Sequence, residues 1–290
     1  MSNKRSKVKR TQKSRRTKRQ VYSSRKLPVL IKDYYPLDSH RSLQGAPKKI
    51  TLKKLSLKYK QIIIEEQLSV NSNVCINIKN INGTIEISGH NKKSASILVV
   101  KRCRKKVNLD YVKVKATINK KELTFTTKYL KSKSNVESTS NIDVSYILKV
   151  PYNAVVELAR NTNGSIITNS LRGPIKLKTT NGSINCNKSR NNVIISSVNG
   201  SINVDVDNLS KDQIIDLKTT NSSIKLTVPK KIRTIFDARV NIGNISTNIP
   251  ITYESRTFMG KTIKGVIGNK KSNSTIKLRA NVGSISIKTH

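Results

Sequence analysis

The sequence predicts an all-β fold, a β-solenoid or β-helix-like stack of ~18–22-residue repeats behind a disordered basic N-terminal arm. Three observations carry this. Asn-Gly turns recur at Asn163-Gly164, Asn181-Gly182 and Asn199-Gly200, with Asn221-Ser222 as a variant. Apolar side chains alternate on both flanks of each turn, the period of a strand with one buried face. No segment shows a capped, helix-period apolar stripe.

The parity around the turns is regular. Ile175, Leu177 and Thr179 precede Asn181, and Ile184 and Cys186 follow it. Val193, Ile195 and Ser197 precede Asn199, and Ile202, Val204 and Val206 follow it. Ile215, Leu217 and Thr219 stand before Asn221, with Ile224, Leu226 and Val228 after it. Two arrangements satisfy this pattern. Each Asn-Gly is either a hairpin turn, with glycine supplying φ > 0, or a corner at which the chain starts a new rung. The spacings of 18, 18 and 22 residues between these asparagines favour the corner, because a rung stacked on its neighbour cannot change length freely. Asn82-Gly83 is an earlier copy, and Gly243 and Gly283 mark weaker late ones. The step from Gly83 to Gly164 is 81 residues and that from Gly243 to Gly283 is 40, about four and two units.

The organisation along the chain follows composition. Residues 1–26 hold twelve Lys or Arg and no acid, which predicts a disordered arm. Residues 27–48 contain three prolines and read as a linker. A β region spans 49–150, its last strand closing at Pro151, and the Asn-Gly-Ser-Ile region spans 151–290; together they read as one continuous domain. "YVKVKATI" places Val112, Val114 and Ile118 on one face, and the Ile62–Ile64 cluster reads as strand because it lacks an N-cap.

Charge is the most unusual property. With 57 Lys and Arg against 16 acids, the formal net charge is +41. Repulsion on that scale calls for anions nearby, so nucleic acid or another polyanion is the expected partner. The residues expected to contact it are Lys4, Arg5, Lys7, Lys9, Arg10, Lys13, Arg15, Arg16, Lys18 and Arg19 of the arm. A second block, Lys101, Arg102, Arg104, Lys105 and Lys106, reads as a loop between strands. Outward Lys176 and Lys178 are followed at matching positions by Ile194 and Ser196, then Asp216 and Lys218, which is not a clean basic stripe. Exposed β edges offer a route to self-association.

Chemistry is harder to find. His40, His90 and His290 have no spaced partners, and Cys75, Cys103 and Cys186 form no CxxC pair. Cys186 falls on an inward position and reads as a small buried hydrophobe. Asp205, Asp207, Asp212 and Asp216 form the densest acidic group, expected to balance neighbouring cations rather than to hold a metal or cleave a glycoside. Nothing points to a cofactor or metal, and the expectation is a non-enzymatic protein. No apolar run reaches the length of a membrane span and no apolar segment follows the basic start, so an intracellular, nuclear or particle location is expected over a secreted one. The Asn-X-Ser/Thr triplets at Asn82, Asn163, Asn181, Asn199, Asn221 and Asn244 therefore read as turns.

The runs "VPYNAVVELARNTNGSI", "GPIKLKTTNGSINC" and "NVIISSVNGSINVDV" resemble the adhesin family of β-strand repeat proteins, and "INIKNINGTIEISG" resembles its opening unit. The likeness covers roughly residues 70–290. It implies a β-helix-like fold, a role in adhesion or envelope structure, and no catalytic residues. Three functions follow in order: a scaffold binding polyanions, nucleic acid first; an adhesin-like surface protein binding polysaccharide; and a β-helix enzyme acting on carbohydrate.

Overall fold

The computed structural model describes residues 60–103, 109–130, 142–249, 254–257, 260–268 and 273–290. Residues 51–290 form one compact unit, and residues 1–50, with the arm and the whole linker, lie outside the described residues. All the described elements except a 3-10 turn at Leu109–Tyr111 are strands. They build two large mixed sheets, of ten and eleven strands.

The strands before the first Val-Pro are β1 (Lys60–Ser69), β2 (Cys75–Lys79), β3 (Ile85–His90), β4 (Ser94–Cys103), β5 (Val112–Ile118), β6 (Glu122–Tyr129) and β7 (Ile142–Pro151). Next come β8 (Val155–Asn163), β9 (Ile166–Asn169), β10 (Ile175–Asn181), β11 (Ile184–Ser189), β12 (Val193–Ser197), β13 (Ile202–Val206), β14 (Ile214–Asn221) and β15 (Ile224–Val228). The chain closes with β16 (Thr234–Ile242), β17 (Ile245–Thr247), β18 (Glu254–Thr257), β19 (Gly260–Ile267), β20 (Thr275–Val282) and β21 (Ile285–Thr289). The Ile62–Ile64 cluster is thus strand, and β7 ends at Pro151.

Strands on either side of an Asn-Gly turn lie in different sheets. The first sheet runs β1-β4-β7-β3-β9-β11-β13-β15-β21-β17, the second β18-β19-β16-β20-β14-β12-β10-β8-β2-β6-β5. Thus β10 pairs in parallel with β8 and β12, while β11 pairs in parallel with β9 and β13. The hairpin arrangement is excluded at these turns. Register is kept by the buried parity: Ile175, Val193 and Ile215 stand side by side in one sheet, and Ile166, Ile184, Ile202, Ile224 and Ile285 in the other. A slip of one residue would turn each of these outward. The inner faces share one apolar core of Ile, Val and Leu, with Phe125, Tyr146 and Phe236 its largest fully buried side chains.

Two long steps in the sequence are excursions, not runs of intervening units. The Asn82 corner lies directly against the Asn163 corner, with Gly83 N donating to Asn163 O at 3.1 Å. The 81 residues from Gly83 to Gly164 instead supply β4 to β7, of which β6 and β7 extend the two parallel arrays beyond β2 and β3. Gly283 N likewise donates to Ile242 O at 2.9 Å, because β20 and β21 slot between β14–β15 and β16–β17. Antiparallel strands finish the ends: β4 and β1 beyond β7, β5 beyond β6, and β19 and β18 beyond β16.

Candidate functional site

The repeated turn is a stacking device. Asn163 Nδ2 donates to Asn82 Oδ1 at 2.9 Å, Asn181 to Asn163 at 2.8 Å, Asn199 to Asn181 at 2.9 Å and Asn221 to Asn199 at 2.9 Å. Beneath this exposed ladder, inward polar side chains satisfy the carbonyls of the neighbouring corner. Asn161 Nδ2 donates to Gly83 O at 2.6 Å, Thr179 Oγ1 to Gly164 O at 3.4 Å and Thr219 Oγ1 to Gly200 O at 3.3 Å. Glycine is needed at the corner for close approach. A Cβ on Gly182 would lie 2.2 Å from Gly164 O, and one on Gly200 would lie 1.9 Å from Gly182 O. Positive φ occurs at Gly83, Gly164, Gly243 and Gly283 but not at Gly182 or Gly200, so left-handed geometry is not the common reason.

The binding residues expected from sequence fare differently. Lys4, Arg5, Lys7, Lys9, Arg10, Lys13, Arg15, Arg16, Lys18 and Arg19 lie outside the described residues, as do Arg104, Lys105 and Lys106. Lys101 and Arg102 are not in a loop; they belong to β4. Lys101 falls on the inward parity, is 5% exposed, and donates through Nζ to Leu109 O at 3.0 Å. Burial, with the nearby Lys113 charge, pulls its pKa down. Arg102 is exposed.

Three members of the acidic group have basic side chains beside them. Asp207 pairs with Arg190, Asp216 lies 3.8 Å from Arg279 Nη1, and Asp205 Oδ1 lies 3.2 Å from His290 Nε2. Among the described residues no His, Cys, Asp and Glu side chains cluster so as to hold a metal ion. Cys186 is fully buried, and burial pushes its thiol up to about 11. A hollow of about 160 Å³ is lined by Tyr152, Ser170, Arg172, Lys188, Arg190 and Asp207. Arg172 already covers the Tyr152 ring there, its Cζ 4.5 Å from the ring centroid.

The largest charged feature crosses the second sheet, in a row that linear reading missed. Lys115, Thr126, Lys79, Arg160, Lys178, Ser196, Lys218, Arg279, Arg239 and Thr262 stand side by side on ten consecutive strands. All are exposed or partly exposed, and all but the end members Lys115 and Thr262 stand between buried neighbours. The sequence places Lys178, Ser196 and Lys218 in one file; the cations on either side come from residues far away in the chain. The adjacent file, Lys176, Ile194, Asp216, Lys277, Asp237 and Lys264, mixes signs and matches the unclean stripe expected. Only one end of the basic row is offset by acids. Arg239 makes a two-bond contact with Asp237 at 2.9 Å, and Arg279 approaches Asp237 at 3.7 Å. Burial raises the Asp237 pKa, and the bonds from Arg239 and the charge of Arg279 outweigh it and hold that carboxyl below its usual value.

The first sheet is different. Its corresponding file reads Glu65, Leu98, Ile147, Glu86, Ile167, Asn185, Asn203, Lys225, Ser286 and Ser246. The two outer faces thus have different chemistry, one cationic and one largely neutral.

Fold and face together define an all-β scaffold with a charged outer surface. The chain is similar to a solved structure of a candidate cell adhesion protein from Clostridium sporogenes, with a TM-score of 0.44 and 15% identity over 79% of this chain and 100% of that one. It is also similar to candidate adhesins from Bacteroides fragilis (TM-score 0.25, 9% identity, 78% of this chain and 96% of that one) and Parabacteroides distasonis (TM-score 0.21, 9% identity, the same shares). No protein-family model matches the chain, and no curated protein does.

Proposed function

We propose that the protein is a non-catalytic, adhesin-like scaffold of a cell surface or envelope that binds polysaccharide through the outer face of its second sheet. The observation that carries this reading is the register of that face. Outward side chains from ten consecutive strands fall into one file, an extended surface suited to a polymer rather than to a small molecule. In this reading the parallel middle of the two sheets is a solenoid-like stack, each rung one strand from each sheet joined at an Asn-Gly corner. The resemblance of those units to the adhesin family supports a surface role. Polysaccharide takes the place of nucleic acid, expected first from the basic arm, and the surface that of the nucleus or a particle. No helix among the described residues is long and apolar enough to cross a membrane.

The test is a binding and turnover experiment on the full chain with a panel of soluble polysaccharides. The expected result is saturable binding to at least one polymer whose chain length stays constant on long incubation. Shortening of the polymer would establish a carbohydrate-active enzyme instead, and absence of binding across the panel would overturn the reading.

A further inference from the structure

We propose that the basic row is a linear anion track, and that its ligand is an unbranched acidic polysaccharide lying along the file from Lys115 to Lys218, across the strands. This rests on the polysaccharide reading above and names the chemistry of the polymer. Neighbouring strands stand about 4.8 Å apart, so the row offers up to one cation per strand in single file. The free stretch contains Lys115, Lys79, Arg160, Lys178 and Lys218, all exposed, none of them in a salt bridge. Past Lys218 the row is damped, because Arg279 and Arg239 share Asp216 and Asp237. A polyanion therefore gains most at the end nearer β5.

What flanks the row fits a sugar chain better than a nucleic acid. Thr126 and Ser196 interrupt it with hydroxyls, and the exposed Asn163, Asn181, Asn199 and Asn221 amides run along the corner at the ends of β8, β10, β12 and β14. Hydroxyls and amides exchange hydrogen bonds with a polyhydroxylated chain between its charges. Sequence-tolerant readers of single strands stack bases on aromatic side chains, and no member of the row or of the adjacent file is aromatic. Phe125 and Phe236 of these strands point into the core. Duplex DNA presents its phosphates on two helical strands, which a single file meets only where a strand crosses it.

The experiment compares the full chain with Lys79→Gln/Arg160→Gln/Lys178→Gln/Lys218→Gln. A control of equal charge change, Lys211→Gln/Lys225→Gln/Lys230→Gln/Lys288→Gln, leaves the row intact. Probes are polygalacturonate, heparin, neutral dextran and a single-stranded DNA, each titrated across a salt series, with thermal melting confirming that all three proteins fold alike. The row variant is expected to lose tenfold or more in affinity for one or both acidic polysaccharides. Its logarithmic salt slope should fall by roughly three, on the order of 0.7 per cation removed. The control should lose less than threefold, and dextran should bind none of the proteins more tightly than the acidic polymers. Equal losses in the two variants would overturn the track. A loss larger for DNA than for either acidic polysaccharide would overturn it in favour of a nucleic acid. Binding of dextran unchanged by either variant would keep the polysaccharide reading and remove the anion track, whereas no binding of any polysaccharide by the unaltered chain would remove both.

Discussion

Asn181 donates its side-chain amide to Oδ1 of Asn163 at 2.8 Å and accepts that of Asn199 at 2.9 Å. One side chain thereby links three corners. A row of amides polarised in one direction reinforces each of its members, although all of them but the half-buried Asn82 are exposed to water. Asn181→Ala removes both bonds and is expected to cost about 1–2 kcal/mol in urea unfolding, since each exposed bond contributes ~0.5–1 kcal/mol. Asn181→Asp keeps the acceptor for Asn199 and should lose about half as much. Equal losses from the two substitutions would show that the acceptor side of the ladder, the bond from Asn199, contributes nothing.

The glycine beside the ladder has a different sensitivity. In Gly200→Ala the new Cβ meets the Gly182 carbonyl oxygen, which is backbone and cannot rotate away. Neighbouring corners have to separate, and the expected cost is on the order of 3 kcal/mol. Asn199→Ala, one residue earlier, should cost less than half of that. Thermal melting of the pair checks the ranking; similar melting temperatures would mean that the corner has slack.

Lys101 is a buried ammonium that donates a hydrogen bond to the Leu109 carbonyl. Its pKa is lower folded than unfolded, so the folded state binds this proton less tightly. Its contribution is unfavourable at neutral pH and is relieved as pH rises through the folded pKa toward the ordinary value of 10.5. Lys101→Met keeps the volume and is expected to stabilise the protein by about 1 kcal/mol at pH 7. The difference should narrow between neutral pH and pH 10, measured by denaturant unfolding at each pH. A gain that does not change with pH would point to packing alone.

The three thiols should separate by reactivity. Cys186 and Cys103 are buried and Cys75 is partly exposed. Burial raises the pKa of Cys75 too, with the Glu157 carboxylate adding to it, so even this thiol is less ionised than a free one at pH 8. A thiol reagent at pH 8 should modify Cys75 slowly, leave Cys186 untouched in the folded protein, and modify all three in denaturant. Modification of Cys186 at the rate of Cys75 would contradict the closed interior.

Much of the fold was legible because it is written in local periods. The alternation around Asn181, Asn199 and Asn221 gave strand positions and the inward faces directly, and Cys186 and Pro151 fell where the parity and the ring geometry require. The placement of neighbours was not legible. The step from Gly83 to Gly164 reads as four units, yet those two corners touch, because β4 to β7 leave the array and extend its end. Lys101 looked like part of an exposed basic loop; only the pairing of β4 with β7 shows that it shares the inward parity of Val99 and Ile97.

The sequence by itself determined the strands, the corners and the charge, since each depends on backbone preferences and side-chain period within a few residues. Tertiary structure alone decided which strands lie side by side. That choice is long-range: β20 sits between β14 and β16 although β16 comes first in the chain. The basic row exists only through it. The repeat already aligns Lys178 with Lys218, but residues 79, 115, 160, 239 and 279 share no local pattern with them, and strand pairing in register is what sets all their charges into one file.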